Sequence, residues 1–271
     1  MIKPQPYKIL PKIQHYEWGT KNRKALIPRF LGIKPESNLP YAELWFGTHP
    51  KSPSDILIEN ETYSLSEIIK KYPNEILGEK VSKKFSSTLP FLLKILSIEK
   101  ALSIQTHPNK NVAKDLHKND PKNYPDSNHK PEIAIAIDKL NAIVGLQSLE
   151  NIKNSFIKYP QLNLLLNKEV EEKLFSANAR LNQDFVKEVY SEIMNASDRK
   201  IKICVNSLLE LISQKNKKTQ IEKQFLVEFK NYGFDVGLIS LLLFNFIQLK
   251  KDEAIFTKAG IPHAYLGGNI V

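Results

Sequence analysis

The chain has 271 residues, 42% of them apolar, with 13 Phe, 10 Tyr and 2 Trp. That is enough for one large domain or two modest ones with real cores, and it excludes a chain disordered along its whole length. The net charge of +10 is carried by scattered lysines. It fits either a solvated basic surface or a field that draws in an anionic ligand, and no nucleic-acid-binding motif accompanies it.

Cys204 is the one cysteine, so neither an internal disulfide framework nor a cysteine-rich zinc site can form. The N-terminal residues Met1-Ile2-Lys3-Pro4-Gln5-Pro6 contain no apolar h-region. The longest apolar run, near Leu238 to Ile247, falls short of the roughly 20 residues that span a bilayer. It is broken by Ser240 and Asn245. These features predict a cytoplasmic protein with no membrane partner.

Residues 1–148 read mostly as short strands between turns. Turn signals recur at Pro28, Gly32 to Pro35, Gly47, Pro50, Pro53, Glu59-Asn60 and Pro90. Strand-length apolar runs fall at 56–58, 91–96 and 133–137. One helix is expected over 65–72, with Ser64 or Ser66 as its cap. The texture changes near Ser148. Residues 149 to about 249 carry helical spacing, with Phe185, Val189, Ile193 and Met194 on one face and Val205, Leu208, Leu209 and Ile212 on another. Pro160 is the only proline in that block. Strand character returns at Glu253 to Thr257, followed by Gly260 and Pro262. The expected organisation is a β domain, 1–148 plus 250–271, interrupted by a helical domain, 149–249.

Three segments carry chemistry. In Leu102-Ser103-Ile104-Gln105-Thr106-His107-Pro108, strand alternation turns Ser103, Gln105 and His107 one way and packs Leu102 and Ile104 the other. In Asn128 to Ile137, Glu132 shares a face with Ala134 and Ala136. Those small neighbours leave room for a ligand, and a carboxylate there is costly to bury unless it is paired or bound. In Ala259 to Gly268, His263 and Tyr265 share a face after the Gly260–Pro262 turn. Each segment alone is ordinary. Together they offer two imidazoles, a carboxylate and a carboxamide, ligands of the kind catalytic zinc takes. Iron, manganese and cobalt accept the same donors, so spacing does not choose the metal.

Five strings in order resemble type I mannose-6-phosphate isomerase, also called phosphomannose isomerase. They are Tyr16-Glu17-Trp18-Gly19, Ala42 to Pro50, Leu102 to Lys110, Tyr124 to Glu132 and Pro262 to Leu266. The resemblance implies a mainly β cupin jelly roll with an inserted α-helical domain. It implies one Zn2+ per chain, with Gln105, His107, Glu132 and His263 as ligands. The implied reaction interconverts mannose 6-phosphate and fructose 6-phosphate through a cis-enediol, feeds GDP-mannose synthesis and needs no organic cofactor. Lys94, Lys130 and Tyr265 then match catalytic positions, and Trp18, Glu43 and Ser103 match substrate-binding ones. The implied partner is a small sugar phosphate, and the implied state is a monomer.

Two departures stand out. Lys251-Asp252 takes the place of the family's usual Pro-Gly turn. Family members also continue beyond the segment ending here at Val271 and carry there a glutamate, an arginine and a lysine that serve the reaction. The chain is therefore expected to be a fragment whose jelly roll lacks its closing strands. A non-catalytic cupin that binds metal or a sugar phosphate is the alternative reading, and a cupin dioxygenase is a third that the five strings disfavour.

Overall fold

The computed structural model describes residues 2–3, 5–124, 126–176 and 183–271. Pro125 of the fourth string and residues 177–182 of the helical block lie outside them. The fold is a cupin-type β structure with a helical layer packed on one of its faces.

Six antiparallel strands form the largest sheet, in the order Phe244–Leu249, Leu140–Leu146, His263–Ile270, Leu93–Ile98, Glu43–Phe46 and Lys12–Gln14. Glu132–Ile135 pairs with Ala254–Thr257 in a separate ladder. It is tied to the main sheet by reciprocal backbone bonds between Ile135 and Val271. A three-stranded sheet of Lys8–Leu10, Asp55–Ile58 and Glu61–Ser64 flanks these.

The His263–Ile270 strand organises the molecule. Its first half pairs with Leu140–Leu146 and its last three residues pair with Leu93–Ile98. The register shifts between Asn141 and Ala142 where the strand changes partners. Gly268 makes this possible. Its φ is +124°, and a Cβ there would lie 2.2 Å from the Lys139 carbonyl oxygen. Side chains alternate along the strand. Ala264 and Leu266 join the large core under the helices, which contains Phe156, Leu208 and Phe225. Tyr265 joins a second core of Leu96, Ile98, Ala134, Ala136 and Ala142. One strand thus separates the helical core from the inner face of the β structure. A close approach of a different kind explains the glycine of the first string: a Cβ on Gly19 would sit 2.5 Å from the Ala42 nitrogen.

Several local expectations are refined. The predicted 91–96 strand runs over Leu93–Ile98, because pairing starts where Leu93 meets Phe46. The 65–72 helix is present as Leu65–Lys71 with Ser64 at its N-cap position, but no side chain caps it. The Leu65 N–H is instead satisfied by the Ser54 carbonyl. The helical block ends earlier than its spacing predicts, since Phe244–Leu249 is a strand. Met194 is exposed, whereas Phe185, Val189 and Ile193 are buried. The β-rich first part also contains a helix, Lys110–Asn119. The side chain of Asn109 caps it by accepting from the Asn111 and Val112 N–H groups. At the Lys251-Asp252 departure, Asp252 adopts φ +68°, a left-handed conformation that Asp reaches more readily than most residues.

Helix ends within the inserted block carry their own caps. Ser148 accepts from the Asn151 N–H, and Thr219 and Glu222 form a reciprocal capping box. Glu222 also receives the Tyr159 hydroxyl at 2.7 Å and pairs with Lys215 at 2.6 Å, so a buried carboxylate is fully partnered. Cys204 is buried in this block, and burial pushes its thiol up to about 12. It is expected to resist a thiol-specific disulfide reagent at pH 8 in the native protein and to react fully once the chain is unfolded in guanidinium. Rapid native labelling would contradict the packing of Cys204 against the helical core.

Candidate metal centre

Three sections of chain converge at one end of the β structure. Glu132 opens its strand, with Ala134 and Ala136 buried on its face and Ile133 turned outward, 63% exposed. His263 opens the last strand and is 2% exposed. The segment bearing Gln105 and His107, expected to be a strand, pairs like one at a single position. Gln105 and His263 exchange backbone hydrogen bonds of 2.8 and 2.9 Å. The segment then runs into Pro108, which has no N–H with which to extend the ladder. Residues opposite one another in such a pair project to the same face, so the Gln105 side chain leaves the backbone beside His263. The Gly260 N–H bonds the His107 carbonyl at 2.7 Å, which fastens the turn before His263 to the His107 segment.

The side-chain geometry is compact. His107 Nε2 lies 3.0 Å from Glu132 Oε1, and His263 Nε2 lies 3.0 Å from Glu132 Oε2. Ligand atoms of all three residues fall within 4.8 Å of one another. His263 Nδ1 is 2.9 Å from the Ile261 carbonyl oxygen. A carbonyl only accepts, so Nδ1 carries a proton there and Nε2 is the atom directed into the cluster. Burial opposes charge on Glu132, yet hydrogen bonds from His107 and His263 hold its carboxyl well below the usual range. Burial also works against a charged His263, but the bonds to Glu132 and to the Ile261 carbonyl outweigh it and raise the ring above its ordinary value. Two imidazoles and an ionised carboxylate, with one imidazole already oriented from behind, suit a zinc ion. Gln105 is exposed and joins them through its backbone pair with His263.

The other expected site residues fall in distinct places. Tyr265 donates to Glu132 Oε2 at 3.4 Å. Its own ionisation is pushed far up by burial and then by the Glu132 charge, in keeping with the proton it donates to Glu132 here. Glu43 is buried, and Lys94 Nζ reaches its Oε2 at 3.0 Å. Trp18 is half-buried against the core that contains Tyr265. Lys130 is exposed and pairs with Asp126 at 3.2 Å. Ser103 is exposed and lines a cavity of about 160 Å³ that also touches Tyr232 and Leu238, on the helical side of the chain.

Three aromatic or imidazole groups that the sequence patterns do not single out join this region. Trp45 shares its strand face with Glu43 and donates its indole N–H to the same carboxylate oxygen. Lys94 Nζ sits 4.8 Å from the Trp45 ring centre, and the His49 ring packs edge-on at 4.7 Å. Burial lowers the His49 pKa, and the charges of Lys94, Lys130 and Lys51 lower it further, so both expected lysines act on one imidazole. Tyr16 stacks on Trp18 at 5.9 Å. Each lies inside one of the five strings, and alternation along Glu43–Phe46 is the signal that points to Trp45.

A β structure that brings two histidines, a glutamate and a glutamine to one end of its strands defines a cupin with a candidate metal centre. Residues 7–149, over half of the chain, match the family model for the type I phosphomannose isomerase catalytic domain, and the chain belongs to that family. It is 40% identical over 281 residues to mannose-6-phosphate isomerase of Saccharomyces cerevisiae, covering 95% of this chain and 65% of that protein. To the Homo sapiens mannose-6-phosphate isomerase it is 34% identical over 287 residues, covering all of this chain and 67% of that one. Among solved structures it is similar to mannose 6-phosphate isomerase from Salmonella typhimurium bound to substrate (F6P) and a zinc atom. There the TM-score is 0.83 and the identity 29%, over 97% of this chain and 66% of that one. The chain spans just under two thirds of the length of the first curated relatives it matches.

Proposed function

We propose that the protein is a zinc-dependent aldose–ketose isomerase that interconverts mannose 6-phosphate and fructose 6-phosphate. The observation that carries this reading is the His107–Glu132–His263 cluster with Gln105 paired beside it, in a chain of this family. Zinc, when bound, supplies Lewis acidity toward the sugar carbonyl. The chain's own residues bind and orient the substrate. Lys94 and Lys130 offer cations to an anionic substrate. Glu43, held between Lys94 and the Trp45 indole, accepts hydrogen bonds from sugar hydroxyls. Tyr265 keeps its proton and steadies Glu132. A base takes the proton from one of C1 and C2, leaving a cis-enediol, and returns it to the other, so the pocket must hold both carbons against one base. The same reading gives one zinc per chain, a monomer, a cytoplasmic setting and a product that feeds GDP-mannose synthesis. Cys204, the single cysteine, fits a reducing compartment.

Trp18 and Trp45 are the chain's two tryptophans, and both belong to this region. Fluorescence excited selectively at tryptophan therefore reports on it. Zinc-loaded protein is expected to show saturable changes in tryptophan fluorescence with either sugar phosphate. Isomerisation, in a coupled assay that a chelator stops and zinc restores, is expected where the family's further glutamate, arginine and lysine are also present. Binding without turnover in that form would favour the non-catalytic alternative, and neither binding nor turnover would overturn both. Lys94→Gln keeps a donor for Glu43 but removes the cation. It is expected to weaken sugar-phosphate binding roughly 10- to 100-fold, as loss of a charged hydrogen bond does. The fluorescence titration measures this, and an unchanged affinity would remove Lys94 from the substrate contacts.

A further inference from the structure

Thr257 lies directly across the ladder from Glu132, as the last pair between Ala254–Thr257 and Glu132–Ile135. Residues opposed in an antiparallel ladder share a face, with Cβ atoms about 4.5–5.5 Å apart. The alternation agrees: Phe256 and Ile133 face outward, 60% and 63% exposed, whereas Thr257 is 3% exposed and lies on the inner face with Glu132 and Ala134. The Thr257 hydroxyl has no hydrogen-bond partner, and it is one of three such buried side-chain atoms among the described residues. The other two, on Gln161 and Asn163, belong to the helical block. A buried hydroxyl left unpaired is destabilising by itself, and this one belongs to the residue paired with Glu132 across the ladder.

We propose that Thr257 is a positioning residue for the metal centre: when Glu132 gives one oxygen to a cation, the Thr257 hydroxyl, unpartnered in this structure, donates to the other. This rests on the zinc reading given above. A carboxylate that gives one oxygen to a cation keeps the other for hydrogen-bond donors, and such outer partners fix the ligand's orientation. Tyr265 already reaches Glu132 from the His263 strand. Thr257 stands opposite Glu132 on the paired strand, so its donation would hold Glu132 from both flanking segments. The turn that follows Thr257 is bonded to the His107 carbonyl through Gly260 and ends at His263, which links this hydroxyl to the section of chain that brings in the other ligands.

The test is zinc affinity, measured by competition with a chromophoric chelator, for the wild type, Thr257→Val and Thr257→Ser, paired with thermal unfolding in excess chelator. Valine keeps the shape and removes the hydroxyl. It is expected to weaken zinc binding about tenfold or more, the range seen for outer-shell partners, while serine retains wild-type affinity. In chelator, Thr257→Val is expected to unfold at the same or a higher temperature than wild type, because an unsatisfied buried hydroxyl has been removed. Equal zinc affinity in wild type and Thr257→Val would overturn the assignment. So would a loss of stability that is the same with zinc and with chelator. Failure of the wild type itself to bind zinc would overturn the metal reading and this inference with it.

Discussion

His263→Ala is expected to leave a folded protein that no longer retains zinc. The side chain is almost fully buried, its Nδ1–H is held by the Ile261 carbonyl and its Nε2 meets Glu132 at 3.0 Å. The backbone pair with Gln105 uses main-chain atoms only, so alanine preserves the ladder and deletes the ligand. The affinity loss should exceed the roughly 10- to 100-fold caused by losing an outer-shell partner, and any isomerase activity should disappear with the metal. Metal analysis after gel filtration, with circular dichroism to verify folding, measures both. Gln105→Ala is expected to act in the same direction. Stoichiometric zinc in both folded variants would remove these residues from the ligand set.

Gly268→Ala is expected to be the most disruptive small substitution on the same strand. Its φ of +124° and the 2.2 Å that would separate an added Cβ from the Lys139 carbonyl oxygen are independent penalties. The backbone conformation costs about 1–3 kcal/mol for a non-glycine residue. Relieving the steric overlap adds a cost on the order of 1–3 kcal/mol. Because Gly268 lies where the His263 strand changes partners, the strain should also loosen the site. Urea unfolding together with zinc affinity measures the two effects. A midpoint equal to wild type would show that the partner switch does not depend on this glycine.

What is legible in the sequence is local. Alternation in a strand needs only a few residues, so the inner face of Glu132, Ala134 and Ala136 and the shared face of His263 and Tyr265 can be read directly. His107 reaches the cluster although its segment is not a strand, whereas Ser103 lines the same cavity as Leu102 and Ile104, so the alternation expected along 102–107 does not hold at Ser103. Helix Lys110–Asn119 escapes the sequence reading despite its Asn109 cap, since the surrounding turns and short apolar runs suggest strands throughout. Phe244–Leu249 reads as part of the helical block because a short apolar run has no period that separates a buried strand from a buried helix. Features that depend on register between distant segments are out of reach. The Lys94–Trp45 contact comes from cross-strand pairing, and Thr257 faces Glu132 only because two strands over a hundred residues apart align there.

Zinc K-edge absorption on the purified chain, combined with its metal content, decides whether Gln105, His107, Glu132 and His263 hold a metal. One zinc per chain is expected, in a nitrogen and oxygen shell that contains imidazole and no sulfur. A chain that retains no zinc, or zinc in a shell without imidazole, would contradict the assignment.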